Sequence, residues 1–101
     1  MTARIAIDPA RLADFCRRHR IRRLALFGSV LRDDFGPASD VDVLVDFAPG
    51  ATPGFIALGR MEEELSALFG GRRPDVVTSK FLNHRIRSRV TSEAEVRYAE
   101  G

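Results

Sequence analysis

A chain of 101 residues, 45% hydrophobic and 30% charged, has room for one domain and little beyond its core, and that balance excludes a disordered segment. The formal net charge of +2 excludes a strongly basic nucleic-acid protein, and the apolar runs are too short and too charged to span a bilayer or to read as a secretory signal. The single cysteine, Cys16, excludes an internal disulfide and fits a reducing compartment, so the cytoplasm is the expected location.

Asp8-Pro9 reads as a helix start, because Asp caps and Pro suits the first helical position. The following "ARLADFCRRHR" sets Leu12, Phe15 and Cys16 on one face and arginines on the other, a helical pattern. "IRRLALFG" is a short strand ending at Gly28, and residues 29–34 read as a helical turn. "DFGPAS" is rich in turn formers and leads into a second strand over 40–47. "APGATPG", residues 48–54, is a loop. "FIALGRMEEELSALFG" is then a helix with Phe55, Ile56, Leu58, Met61, Leu65, Leu68 and Phe69 on its apolar side, stopping at Gly70-Gly71. Those apolar positions are core first, with some available to an interface. "RPDVVT" is a third strand, and a last helix is expected over roughly 83–98. The chain is therefore expected to be one α/β (α+β) domain over 1–101, a small mixed sheet with helices packed on one face.

Arginines gather in "RRHRIRR" at 17–23 and "HRIRSR" at 84–89. No aromatic side chains interleave with the first cluster, so it reads as a solvated helix face, and direct nucleic-acid binding ranks last among the functions considered. His19 reads as a surface residue, and Cys16 as a small core residue.

The unusual feature is in the second strand. Val41, Val43, Val45 and Phe47 alternate with Asp40, Asp42, Leu44 and Asp46, so Asp40 and Asp42 point the same way, roughly 7 Å apart. Two carboxylates that close repel unless a cation lies between them, and hard carboxylate oxygens suit Mg²⁺ or Mn²⁺. Two such ions about 4 Å apart serve phosphoryl transfer by activating the attacking oxygen and stabilising the leaving one. The Gly28-Ser29 step, at a strand end opening a helical turn, frees backbone N–H groups for phosphate oxygens. If the third strand lies beside the second, Asp75, which opens it, completes the metal site or acts as general base. Asp46, nearer the end of its strand, is assigned no catalytic role.

"GS", ten residues, then Asp40-Val41-Asp42 resembles the signature of the DNA polymerase beta-like nucleotidyltransferase superfamily. The stretch from "LALFGSVLRDDFG" to "RRPDVVT" is similar to the minimal nucleotidyltransferase antitoxin group, and the tail looks like that group's C-terminal helix. The resemblance implies the nucleotidyltransferase fold and two Mg²⁺ ions (or Mn²⁺) held by Asp40, Asp42 and Asp75. It also implies a triphosphate cradled by Gly28 and Ser29, with Arg32 assisting. It implies a HEPN-domain ribonuclease toxin as partner in a hetero-oligomer, neutralised by transfer of AMP from ATP to a toxin hydroxyl. The alternative it carries is an antitoxin that binds and occludes without turnover. Many members have Arg-Ala-Arg-Gly after Gly-Ser, where this chain has Val30-Leu31-Arg32-Asp33 and keeps one basic side chain.

Overall fold

The Asp8 side chain accepts hydrogen bonds from the backbone N–H groups of Ala10 and Arg11 (2.9 and 3.4 Å), so the first helix begins where its cap dictates. In the computed structural model, which describes residues 5–31, 36, 39–51, 53–78, 90 and 93–100, that helix is α1 (Pro9–Arg18). It ends as Arg20 takes a left-handed backbone conformation (φ 57°), a turn that feeds β1 (Ile21–Phe27). A single 3₁₀ turn, Gly28–Leu31, follows β1. The remaining elements are β2 (Val41–Phe47), α2 (Phe55–Leu68), β3 (Pro74–Thr78) and β4 (Glu95–Ala99).

The sheet order is β3-β2-β1-β4. β1 runs antiparallel to both β2 and β4, and β2 pairs parallel with β3, so the sheet is mixed as expected. The parallel pair needs a crossover, which α2 supplies between β2 and β3. Apolar residues of α1 (Leu12, Phe15, Cys16), of α2 and its end (Met61, Leu65, Phe69) and of the strands (Leu24, Leu26, Val41, Val43, Val45) form one buried cluster. Fully burying a side chain such as Leu65 contributes about 1.5–3 kcal/mol. Desolvation pushes the Cys16 thiol up to about 12, against a small opposing effect of Arg17, which keeps it protonated and unreactive as a core residue.

Three expectations are corrected. Phe55 and Ile56, expected first in the core, stand exposed in the first turn of α2, whose buried residues are Met61 and Leu65. The stretch 95–99 is not part of a C-terminal helix but the strand β4; residues 83–89, 91 and 92 of the expected helix lie outside the described residues. The Ala94 N–H bonds the Val90 carbonyl (2.9 Å), and from Glu95 the chain extends along β1. The physical reason is tertiary: the free side of β1 takes Tyr98 opposite Leu24, and Tyr98 packs on the core. His19 is not a plain surface residue either. Its ring is half-buried, lies 4.7 Å from that of Phe15, and bonds the Glu64 carboxylate, tying the end of α1 to α2. Arg18 reaches the same carboxylate (2.7 Å) and also Asp14 (2.9 Å).

Candidate active site

The valines of β2 pack toward the helices, so the alternating positions carry their side chains to the opposite face of the sheet. Asp42 is on that face, near the start of β2. Its register partner in parallel β3 is Asp75, which places the two carboxylate-bearing residues on adjacent strands, about 4.8 Å apart between backbones. On its other side Asp42 pairs with Phe27, the last residue of β1, and Gly28 follows immediately. Gly28 has φ +75°, and a Cβ built there would lie 2.1 Å from Asp42 Oδ2. The glycine therefore serves two needs, a left-handed turn out of β1 and room for the Asp42 carboxylate against the backbone.

Asp40 is exposed and lies one residue before β2, in the chain that enters the strand. The backbone of Ser29 is in the 3₁₀ turn directly after Gly28, as the strand-then-turn reading requires. Arg32 lies outside the described residues. The structure thus brings Gly28, Asp42 and Asp75 to one end of one sheet face, with Asp40 and Ser29 adjoining in sequence. Among the described residues no three His, Cys, Asp or Glu side chains form a ready-made metal cage. A groove of about 400 Å³ lies elsewhere, between α1 and α2 on the helical side, lined in part by Arg11, Asp14, Phe15 and Leu68.

Three further residues bear on this end of the sheet, and the sequence reading linked none of them to the site. Arg72 donates from Nη1 to the Gly36 carbonyl (2.7 Å), and the Gly36 N–H donates to Ser39 Oγ (3.0 Å). The first contact joins residues 36 apart in sequence, and no local spacing announces it.

The family model described as "Nucleotidyltransferase domain" matches residues 10–97. The chain belongs to the nucleotidyltransferase domain family. A protein of Methanocaldococcus jannaschii, provisionally named a protein adenylyltransferase (MJ0435), is 31% identical over 77 residues, which are 76% of this chain and 80% of that one. Protein adenylyltransferase MntA of Thermococcus cleftensis is 37% identical over 76 residues, 75% of this chain and 74% of its own. Among solved structures, one given provisionally as a minimal nucleotidyltransferase superposes with a TM-score of 0.68 at 38% identity, covering 84% of this chain and 83% of the other. A toxin-antitoxin structure with AMP-PNP superposes with a TM-score of 0.71, covering 92% of this chain and 74% of the other; at 18% identity it supports the fold alone. The expected family, fold and enzyme class, a nucleotidyltransferase, are those found.

Proposed function

We propose that this nucleotidyltransferase moves AMP from ATP to a hydroxyl of a partner protein, using Asp40, Asp42 and Asp75 around divalent cations and Gly28, Ser29 and Arg32 at the triphosphate. The observation that carries the reading is the register of Asp42 with Asp75 beside a glycine whose missing Cβ leaves space for the Asp42 carboxylate. The donor set fits Mg²⁺: all three side chains offer hard oxygens, and Mg²⁺ commonly binds through one or two carboxylates plus substrate phosphates rather than a complete protein cage. When bound, Mg²⁺ neutralises phosphate charge and lowers the pKa of the attacking oxygen's proton.

The chain's own residues do the rest. Gly28 and Ser29 present backbone N–H groups at the start of the 3₁₀ turn to the β- and γ-phosphate oxygens, fixing the triphosphate against the sheet. Asp75, exposed at the start of edge strand β3, faces the side from which an acceptor arrives and accepts the proton of the incoming hydroxyl. Asp42, hemmed between Phe27, Gly28 and β3, holds its carboxylate in place without a search over rotamers. The oxygen of the acceptor forms its bond to the α-phosphorus as the bond to pyrophosphate breaks.

The names of the relatives support a protein acceptor, and the toxin-antitoxin structures among the fold neighbours, in which MntA is paired with HepT, support a toxin as that acceptor; we take it to be the HEPN ribonuclease that the sequence resemblance implies, held in a hetero-oligomer. We place the reaction in the cytoplasm, where ATP and Mg²⁺ are at hand; no helix among the described residues is long and apolar enough to cross a membrane. A second reading, occlusion of the toxin without turnover, draws on Phe55 and Ile56, which stand 95% and 79% exposed at the start of α2.

Intact mass spectrometry of the neighbouring gene product, after incubation with the protein, ATP and Mg²⁺, separates the two. AMP-sized increments that vanish with Asp40→Asn/Asp42→Asn establish transfer. No increment, with a stable complex in both cases, establishes occlusion.

A further inference from the structure

Asp40 differs from its two companions in lacking a place in the sheet. It lies in the connection that returns from the 3₁₀ turn to β2, and yet the proposed chemistry needs it fixed relative to Asp42 and Asp75. The described contacts around it converge on one short segment. Just before Asp40, the Ser39 N–H donates to the Gly36 carbonyl (3.0 Å) and the Gly36 N–H donates to Ser39 Oγ (3.0 Å), tying these two residues to each other. The same Gly36 carbonyl accepts from Arg72 Nη1 (2.7 Å), a short, charge-assisted bond. Just after Asp40, the Val41 N–H donates to the Arg73 carbonyl (2.9 Å). Three residues beyond Arg72, the same segment carries Asp75.

From this arrangement we propose that Arg72 is a positioning residue. Its guanidinium clamps Gly36, and through it Ser39, to the chain entering β3, and so sets Asp40 at a fixed place relative to Asp42 and Asp75. The segment 72–75 thereby anchors Asp40 on both flanks while supplying the third carboxylate, so the three are registered to one piece of backbone. A side chain that orients a metal-binding group without touching the metal typically changes metal affinity by about 10- to 100-fold when lost. The bond to Gly36 uses one nitrogen and one carbonyl, a contact a lysine ammonium can also make, so Arg72→Lys should restore the part of the loss that this bond carries. This inference rests on the metal-dependent reading of the site.

The test is Mn²⁺ affinity, measured by electron paramagnetic resonance on the full chain and its variants Arg72→Gln, Arg72→Lys, Ser39→Ala and Asp40→Asn, each checked for folding by circular dichroism. The expected result is Mn²⁺ binding weakened about 10-fold or more in Arg72→Gln, partly restored in Arg72→Lys, and weakened in Ser39→Ala. Wild-type affinity in a folded Arg72→Gln, while Asp40→Asn binds weakly, overturns the inference and leaves the metal site standing. Equal affinity in wild type and Asp40→Asn overturns the assignment of Asp40 as a ligand, and the inference with it. Should Arg72→Gln fail to fold, wild-type affinity in Ser39→Ala or a loss in Arg72→Lys as large as in Asp40→Asn overturns it instead.

Discussion

The two faces of β2 are built for different ends. Val41, Val43 and Val45 on one face are fully buried against the helices, in the cluster that also holds Leu65 and Phe15. On the other face Asp42 sits half-buried between a glycine and a second aspartate, a combination that adds repulsion to the fold. One strand of seven residues thus carries both the centre of the hydrophobic core and the centre of the proposed chemistry, separated only by the pleat. The lesson is that the core-facing residues make the site-facing strain tolerable: a strand locked in register by its valines can hold a carboxylate where solvation alone would not put it.

That separation makes substitutions on the two faces fail differently. The largest effect is expected from Asp42→Asn, which should lower adenylyl transfer on the order of 10³-fold, the scale for removing a group that stabilises transition-state charge. Its unfolding free energy should stay within about 1 kcal/mol of wild type, since no core contact is lost. Transfer rates by mass spectrometry, set beside urea unfolding of the same sample, check both halves; a large loss of stability would break the distinction between faces. Leu65→Ala is the converse. It empties a fully buried position and should cost about 2–5 kcal/mol by urea unfolding, while folded protein retains transfer at close to the wild-type rate. A matching collapse of transfer in folded Leu65→Ala would show that the core face reaches into the chemistry.

The same strand explains how much could be read from the sequence. Period-two alternation in β2 is a local pattern, so the outward face of Asp42 was legible, as was the Gly-Ser step ahead of it; the shared face expected for Asp40 has no counterpart, because β2 begins at Val41. The pairing of Asp42 with Asp75 was inferred only as a condition, because register across a parallel crossover depends on how α2 returns the chain. β4 was misread as helix for a related reason. Val96 and Tyr98 suit either element, and the decision belongs to β1, more than seventy residues earlier, whose free side they pair with. His19 was misread because its partner Glu64 is 45 residues distant. Local chemistry announced the site, and long-range contact decided its frame.

Gly28 sharpens the comparison because it serves both turn and site. Gly28→Ala should cost about 1–2 kcal/mol in urea unfolding, from the left-handed backbone alone, and more as Asp42 moves aside. Transfer should fall with it, since the added methyl displaces the Asp42 carboxylate; an unchanged rate would mean that carboxylate is not needed where it stands.

The smallest effect lies on the helical side, at the Glu64 carboxylate that joins α1 to α2. Its pKa is lowered, chiefly by the hydrogen bond from Arg18, with His19 adding in the same direction against desolvation. A carboxylate whose folded pKa is depressed stabilises the fold fully above its unfolded pKa, near 4.5, and that contribution is lost as pH falls through the lower folded value. The side chain is 36% exposed, so solvent screening holds the contribution below about 1 kcal/mol. Glu64→Gln should therefore be slightly less stable than wild type at pH 7, and the gap should close as pH falls below about 4.5. Urea unfolding of both proteins across pH 3–7 checks this. A gap that persists to pH 3 would assign the loss to altered packing around His19 and Phe15 rather than to charge.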